Sequence, residues 1–166
     1  MVLSFRPLLP SDQATLWDWL HVALWDPPPA GLRPREVLGH PAVRIYAEEW
    51  GRPGDLGMVA VVDGHDAGAC WMRLLPENVG LAFVDEATPQ LGIALMPDFQ
   101  RRGVGRQLML QTLAAGWLAG YGQVSLTVHP DNPAVSLYEQ CGFVRVEIRN
   151  GYDLMLARAP GQAPTA

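Results

Sequence analysis

Gly103 and Gly105, in the run Gln100-Arg101-Arg102-Gly103-Val104-Gly105, carry the strongest chemical signal in the sequence. They stand between a strand-like and a helix-like run. The first backbone N–H groups of a helix lack partners and lie at the positive end of its dipole, so the turn leading into a helix is a ready anion site. Glycine removes the side chains that would keep an anion away, while Arg101, Arg102 and Arg106 add charge. Phosphate fits this better than any carboxylate. A dinucleotide fingerprint does not fit: it needs a third Gly or Ala after Gly-x-Gly-x-x, whereas position 108 is leucine and the unit comes late in the chain. A purely structural turn would use a glycine or two but would not require Gln-Arg-Arg upstream.

Composition narrows the rest. With 166 residues, about half of them apolar, one core is the default. His21, His40 and His65 show no metal-ligand spacing, and Cys70 and Cys141 lie too far apart to suggest a thiolate site or a disulfide framework. All twelve basic residues are arginine, and the formal net charge of -5 argues against a nucleic-acid backbone as the main ligand. Ser4, Arg6, Ser11 and Asp12 interrupt every apolar run near the N-terminus, so no signal peptide is read there, and no stretch approaches the ~20 apolar residues of a membrane span. A cytoplasmic protein is expected.

Periodicity supplies the elements that must hold the turn. A strand over 3–9 ends at Pro10, and Ser11 or Asp12 can cap a helix carrying Leu16, Trp17, Leu20 and Leu24. After the break at Pro27-Pro28-Pro29-Ala30-Gly31, a second helix is expected over 34–50. Strands at 57–62 and 67–75 flank the turn signal Asp63-Gly64, and a further strand ends in 91–96. The helix after the glycine turn places Leu110, Leu113, Ala114, Trp117 and Leu118 on one stripe. A strand over 124–129 follows, then a helix with Asn132 as its cap, Pro133 at its first position, and Ala134, Leu137, Tyr138 and Cys141 facing inward. Strands at 143–149 and 152–158 meet at Asn150-Gly151. The expectation is one mixed α/β domain over 1–159 with a disordered tail over 160–166.

The run Leu91-Gly92-Ile93-Ala94-Leu95-Met96-Pro97-Asp98-Phe99-Gln100-Arg101-Arg102-Gly103-Val104-Gly105-Arg106 resembles motif A of the Gcn5-related N-acetyltransferases (GNAT), where Gln/Arg-x-x-Gly-x-Gly/Ala follows the fourth strand. Independently, Asp131-Asn132-Pro133-Ala134-Val135-Ser136-Leu137-Tyr138-Glu139-Gln140-Cys141-Gly142-Phe143 is similar to that family's segment after the fifth strand. The element order agrees over nearly the whole chain. The resemblance implies a mostly antiparallel sheet of about seven strands with about four helices, in which the fourth and fifth strands splay apart. It implies acetyl-CoA as cosubstrate, an amine acceptor, no metal, no nucleic-acid or membrane partner, and a homodimer.

Carried over residue by residue, the resemblance puts the pantetheine arm against the backbone of Ile93, Ala94 and Leu95. The pyrophosphate falls at Arg101, Arg102, Gly103, Val104, Gly105 and Arg106. Asn132 matches the asparagine that contacts the arm or orders the helix start, with Asp131 as an alternative alignment. Tyr138 matches the tyrosine near the cofactor sulfur; a phenol, protonated at neutral pH, can give its proton to a departing thiolate. The oxyanion would meet the N–H of Leu95. A base is harder to place. Positions where many relatives carry Glu look like Gln90 and Thr127, leaving Asp85, Glu86 and His129 as candidates acting through water. The acceptor site would involve 25–32 with Trp50, Trp71 and Phe83, and Asp85 and Glu86 could attract a cationic amine. Absence of the fifth-strand Glu of ribosomal-protein N-terminal acetyltransferases favours a small acceptor. A protein N-terminus, or a non-catalytic acyl-CoA-binding module, stays open.

Overall fold

Asp63 and Gly64 both take positive φ, 48° and 83°, and so form the tight turn joining β2 (Leu56–Val62) to β3 (His65–Arg73). Asn150 and Gly151, at 50° and 81°, do the same between β6 (Val144–Arg149) and β7 (Tyr152–Arg158). The structure is a computed structural model describing residues 1–162. With β1 (Leu3–Pro7), β4 (Gln90–Leu95) and β5 (Gln123–Val128), these strands form one seven-stranded sheet ordered β1-β2-β3-β4-β5-β7-β6. All neighbours are antiparallel except β4 and β5. Those two share a single registered pair, Gln90 with Ser125, and then separate. The mixed, mostly antiparallel sheet with a splayed fourth and fifth strand is as expected.

Helices α1 (Gln13–Ala23), α2 (Pro41–Arg44), α3 (Val104–Leu118) and α4 (Ala134–Gln140) cover the two faces. Leu16, Trp19 and Leu20 of α1 join Val59, Ala69, Trp71 and Ala94 in one core. Val104, Leu108, Met109 and Leu113 of α3, with Tyr138 and Cys141, join Ala60, Cys70, Met72 and Met155 in the other.

Several local expectations are corrected. The helix over 34–50 is a 3-10 turn at Arg35–Gly39 and the single turn of α2, because His40 precedes Pro41 and is held extended at φ -70°, ψ 130°. Trp19, not Trp17, is the buried tryptophan of α1, and Leu24 lies past that helix's end. Asp12 does not cap α1 with its side chain; its carboxylate takes the Leu9 N–H at 2.8 Å and the Arg6 guanidinium. The buried face of α3 holds Leu113 as expected, with Val104, Leu108, Met109, Thr112 and Gly116, but leaves Leu110 and Leu118 exposed. Apolar residues surround that helix, and close approach decides which face turns inward: a β-carbon on Gly116 would lie 3.1 Å from Met72 Sδ. The tail expected to be disordered falls mainly outside the described residues, although Gln162 N still donates to Ala159 O at 3.0 Å.

The segment between α2 and β2 is fastened by Arg73, whose side chain is 1% exposed. Its Nε and Nη2 pair with Asp55 at 2.9 and 2.8 Å, while Nη1 donates to the carbonyls of Ile45 and Glu48 and Nη2 to that of Glu49. Every guanidinium donor has an acceptor, as burial of that charge requires.

Candidate active site

Where β4 and β5 part, a cavity of about 330 Å³ opens through the sheet. From the α1 face it is lined by Leu20, Trp25, Arg33, Tyr46 and Trp71; at the gap by Gly92, Thr127 and Val128; and on the α4 side by Asn132 and Tyr138. It therefore touches both cores.

Its closed end is a fastened loop. Gln90 Nε2 donates to Val79 O at 2.8 Å, and Ser125 Oγ to Ala82 O at 2.7 Å. Arg149 donates to the carbonyls of Leu81 and Phe83. Tyr46 adds its hydroxyl, which donates to Gln90 Oε1 at 2.8 Å; burial pushes the pKa of that phenol up to about 12. Gln90 thus holds the wall through both ends of its amide.

Strand geometry decides which β4 groups face the gap. Ser125 N donates to Pro89 O, and Met96 N to Ala67 O on β3, so by alternation Ile93 and Leu95 turn their N–H and C=O toward β5 while Ala94 turns toward β3. Leu95 O already accepts from Gln100 Nε2 at 2.9 Å, but its N–H faces the gap.

The glycine turn follows the end of β4. Gly103 takes φ 77° as the residue entering α3, a conformation that glycine adopts without strain. A β-carbon on Gly105 would stand 3.3 Å from Leu95 Cδ1 and 3.9 Å from Leu137 Cδ1, which puts the first turn of α3 between the end of β4 and α4. The backbone N–H groups of Gly103, Val104, Gly105 and Arg106 have no acceptor among the described residues, and Arg101, Arg102 and Arg106 are exposed around them. A diphosphate has donors and charge to meet there.

Tyr138 is buried on α4 with its ring edge-on to Phe143 at 6.1 Å, and it borders the cavity. Burial, with a smaller contribution from nearby Cys70, holds its hydroxyl well above the ordinary phenol pKa. The group stays protonated. Asn132 Oδ1 accepts from Ala134 N at 2.9 Å, so it caps α4 while lining the cavity.

Of the three base candidates, the structure brings His129 to the cavity. Its Nδ1 accepts from Asp131 N at 3.1 Å, which places the proton of the neutral ring on Nε2, and it packs against Trp25 and Tyr152 at 5.7 and 5.9 Å. Asp85 lies at the other end of β5, beside Gln123, accepting from Ala87 N and Thr88 Oγ1. Glu86 is exposed and outside the cavity. Trp25 and Trp71 line the cavity as expected; Phe83 does not, and Trp50 is a core residue whose Nε1 donates to Leu8 O. Tyr46, Arg33 and Tyr152 were not foreseen; they sit in loops or at a strand start, where periodicity gives no signal.

Residues 17–143 match the Acetyltransferase (GNAT) family. The chain belongs to that family. Over 70 residues this GNAT chain is 41% identical to the ribosomal protein bS18-alanine N-acetyltransferase of Salmonella typhimurium, covering 42% of this chain and 47% of that one. Over 118 residues it is 30% identical to the mycothiol acetyltransferase of Nocardiopsis dassonvillei, covering 70% and 34%. It thus matches only a third to a half of the length of these curated relatives. In fold, it is similar to a PaiA N-acetyltransferase from Thermoplasma acidophilum solved with coenzyme A, at TM-score 0.70 and 18% identity, covering 96% of this chain and 100% of that one. A phosphinothricin acetyltransferase from Sinorhizobium meliloti, solved with acetyl-CoA, gives TM-score 0.68 at 16% identity, covering 99% and 94%. Among the described residues, no group of three or more His, Cys, Asp or Glu is placed to hold a metal, and no helix is long and apolar enough to cross a membrane.

Proposed function

We propose that residues 1–159 act as one cytoplasmic domain that moves an acetyl group from acetyl-CoA to a primary amine of a small molecule. The observation that carries this reading is the cavity through the sheet at the splay, with a buried, protonated Tyr138 beside it and the free N–H groups of α3 between the end of β4 and α4. The pyrophosphate would rest on 101–106. The pantetheine arm would pair with the backbone of Ile93 and Leu95, with Ala94 between them held by β3, and Asn132 would offer its Nδ2 to the arm while Oδ1 caps α4.

In the transfer, the neutral amine attacks the thioester carbonyl and a C–N bond forms. The Leu95 N–H meets the oxyanion. The intermediate collapses with loss of the C–S bond, and the thiolate takes the Tyr138 proton. The nitrogen loses one proton to water, and the phenolate recovers one from water, so the products are an amide and the free CoA thiol.

The 41% identity to the bS18-alanine enzyme supports a second reading, in which the amine is a protein N-terminus. A small acceptor is favoured by the fastened wall of 79–83. A homodimer would use the outermost strand, where Val144, Val146 and Ile148 are exposed; sedimentation velocity checks it. Calorimetric titration with acetyl-CoA, followed by mass spectrometry of amines incubated with both, tests the function. Saturable binding and one acetyl group per amine are expected. A folded protein that binds no acetyl-CoA overturns the proposal, and one that binds it but modifies no amine is a non-catalytic module.

A further inference from the structure

No aspartate or glutamate lines the through-sheet cavity. Its one arginine, Arg33, is already neutralised, since Nε and Nη2 donate to Asp26 at 2.7 and 2.8 Å. Asp85 and Glu86, the acids that the sequence offered to a cation, stand elsewhere. A second ammonium group drawn into this space would shed its water with ring faces but no lining carboxylate to replace it, and a cation–π attraction offsets only part of that desolvation, which disfavours entry. What the cavity does offer is ring surface, from Trp25, Tyr46 and Tyr152, with Leu20 and Leu81 beside them and the indole of Trp71, 1% exposed, packed as the wall behind.

Trp71 is fixed within that surface. Its Nε1 donates to Tyr46 O at 2.9 Å, and its six-membered ring lies over Gly92, where a β-carbon would come to 2.8 Å from Cζ2. Any side chain at position 92 must therefore push the indole away. A cavity of about 330 Å³ stands near the lower end of the ~300–1,000 Å³ typical of ligand pockets, and the thioester end at Tyr138 takes part of it. The acceptor's body is then small.

We propose, resting on the acetyl-transfer reading above, that the acceptor is a primary amine on a small, apolar, ring-bearing body with no second cationic group, and that the buried Trp71, packed on Gly92, sets the wall against which that body must fit. The reacting nitrogen sheds its proton before it attacks, so its own charge need not be buried, whereas the further ammonium groups of a polyamine would have to be. Shape and apolar contact, not charge, set the preference.

The test is thiol release from acetyl-CoA by the wild-type protein with 2-phenylethylamine, spermidine, an aminoglycoside and a short peptide with N-terminal alanine. Acetyl-CoA affinity is measured in parallel by calorimetry. The expected result is a kcat/KM for 2-phenylethylamine at least about tenfold above the other three. In Gly92→Ala, KM for 2-phenylethylamine should rise by about tenfold or more, with acetyl-CoA affinity within about twofold of wild type. An equal or higher kcat/KM for spermidine, the aminoglycoside or the peptide overturns this proposal and leaves acetyl transfer standing. An unchanged KM in a folded Gly92→Ala variant removes Trp71 from its assigned role. No thiol release with any amine overturns the transfer reading and this inference together.

Discussion

Gln90 and Ser125 face each other as the one registered pair between β4 and β5, and both side chains hold the same loop, at Val79 O and Ala82 O. The point at which the strands part is therefore also the point at which the cavity is closed. In Gln90→Ala the Tyr46 hydroxyl and the Val79 carbonyl lose their partner, a loss of about 1–3 kcal/mol. Thermal unfolding should show a Tm lower by about 2–4 °C per kcal/mol. Because Gln90 cannot take a proton and has its amide engaged, kcat should fall less than about tenfold with an unchanged pH profile. A kcat loss without a Tm shift would mean that Gln90 serves the chemistry.

Gly105 tests the phosphate turn. The space that a β-carbon would enter is already bounded by Leu95 Cδ1 at 3.3 Å, so a large side chain must project toward the turn's anion-facing side or displace β4's end. Gly105→Trp should weaken acetyl-CoA by at least about tenfold, about 1.4 kcal/mol, in a protein that circular dichroism shows folded. Neutralising Arg101 and Arg102 together should weaken CoA and acetyl-CoA alike, and less so at high salt. Loss confined to the acetylated form would place the acyl group, not the pyrophosphate, at this turn.

Arg73 is the stability test. Arg73→Met strands Asp55, whose side chain is 3% exposed, and should cost about 3–5 kcal/mol in denaturant unfolding. Adding Asp55→Leu should recover only part, because the carbonyls of Ile45, Glu48 and Glu49 also lose their donor. Full recovery would assign the whole cost to the ion pair.

The acid limb of the rate should follow the acceptor. No carboxylate lines the cavity, and His129 accepts at Nδ1 from Asp131 N, so that nitrogen is already engaged. Exchanging amines of different pKa should move the limb with the amine, and His129→Gln should keep kcat within about tenfold. A limb fixed near the ~6.5 of an ordinary histidine, and lost in His129→Gln, would make His129 the base.

The strands and both motif segments were legible because each combines an alternating or helical apolar pattern with glycine or Asn-Gly punctuation, as at Asp63-Gly64 and Asn150-Gly151. The second helix was not, since Gly39 and Pro41 interrupt the segment and His40 turns extended between two short helical turns. In α3 the inward face was legible at Leu113 and Trp117 but not at Thr112 and Gly116, which face the sheet by being small, not by being the most apolar. Tyr138 and the turn could be named from local sequence. Arg33 with Asp26, Arg73 with Asp55, and the loop carbonyls held by Gln90, Ser125 and Arg149 depend on contacts between distant segments, which no local pattern encodes.

Tyr138→Phe tests the central claim, that this cavity transfers an acetyl group with the buried phenol as acid. Burial raises the Tyr138 pKa above its ordinary ~10, so the hydroxyl remains protonated across the working range and wild type should show no alkaline limb below about pH 10. Steady-state kinetics with one good amine, paired with calorimetry for acetyl-CoA, should give a kcat lower by about 10²- to 10⁴-fold in Tyr138→Phe at unchanged affinity. An undiminished kcat, or a loss explained wholly by weaker acetyl-CoA binding, would contradict it.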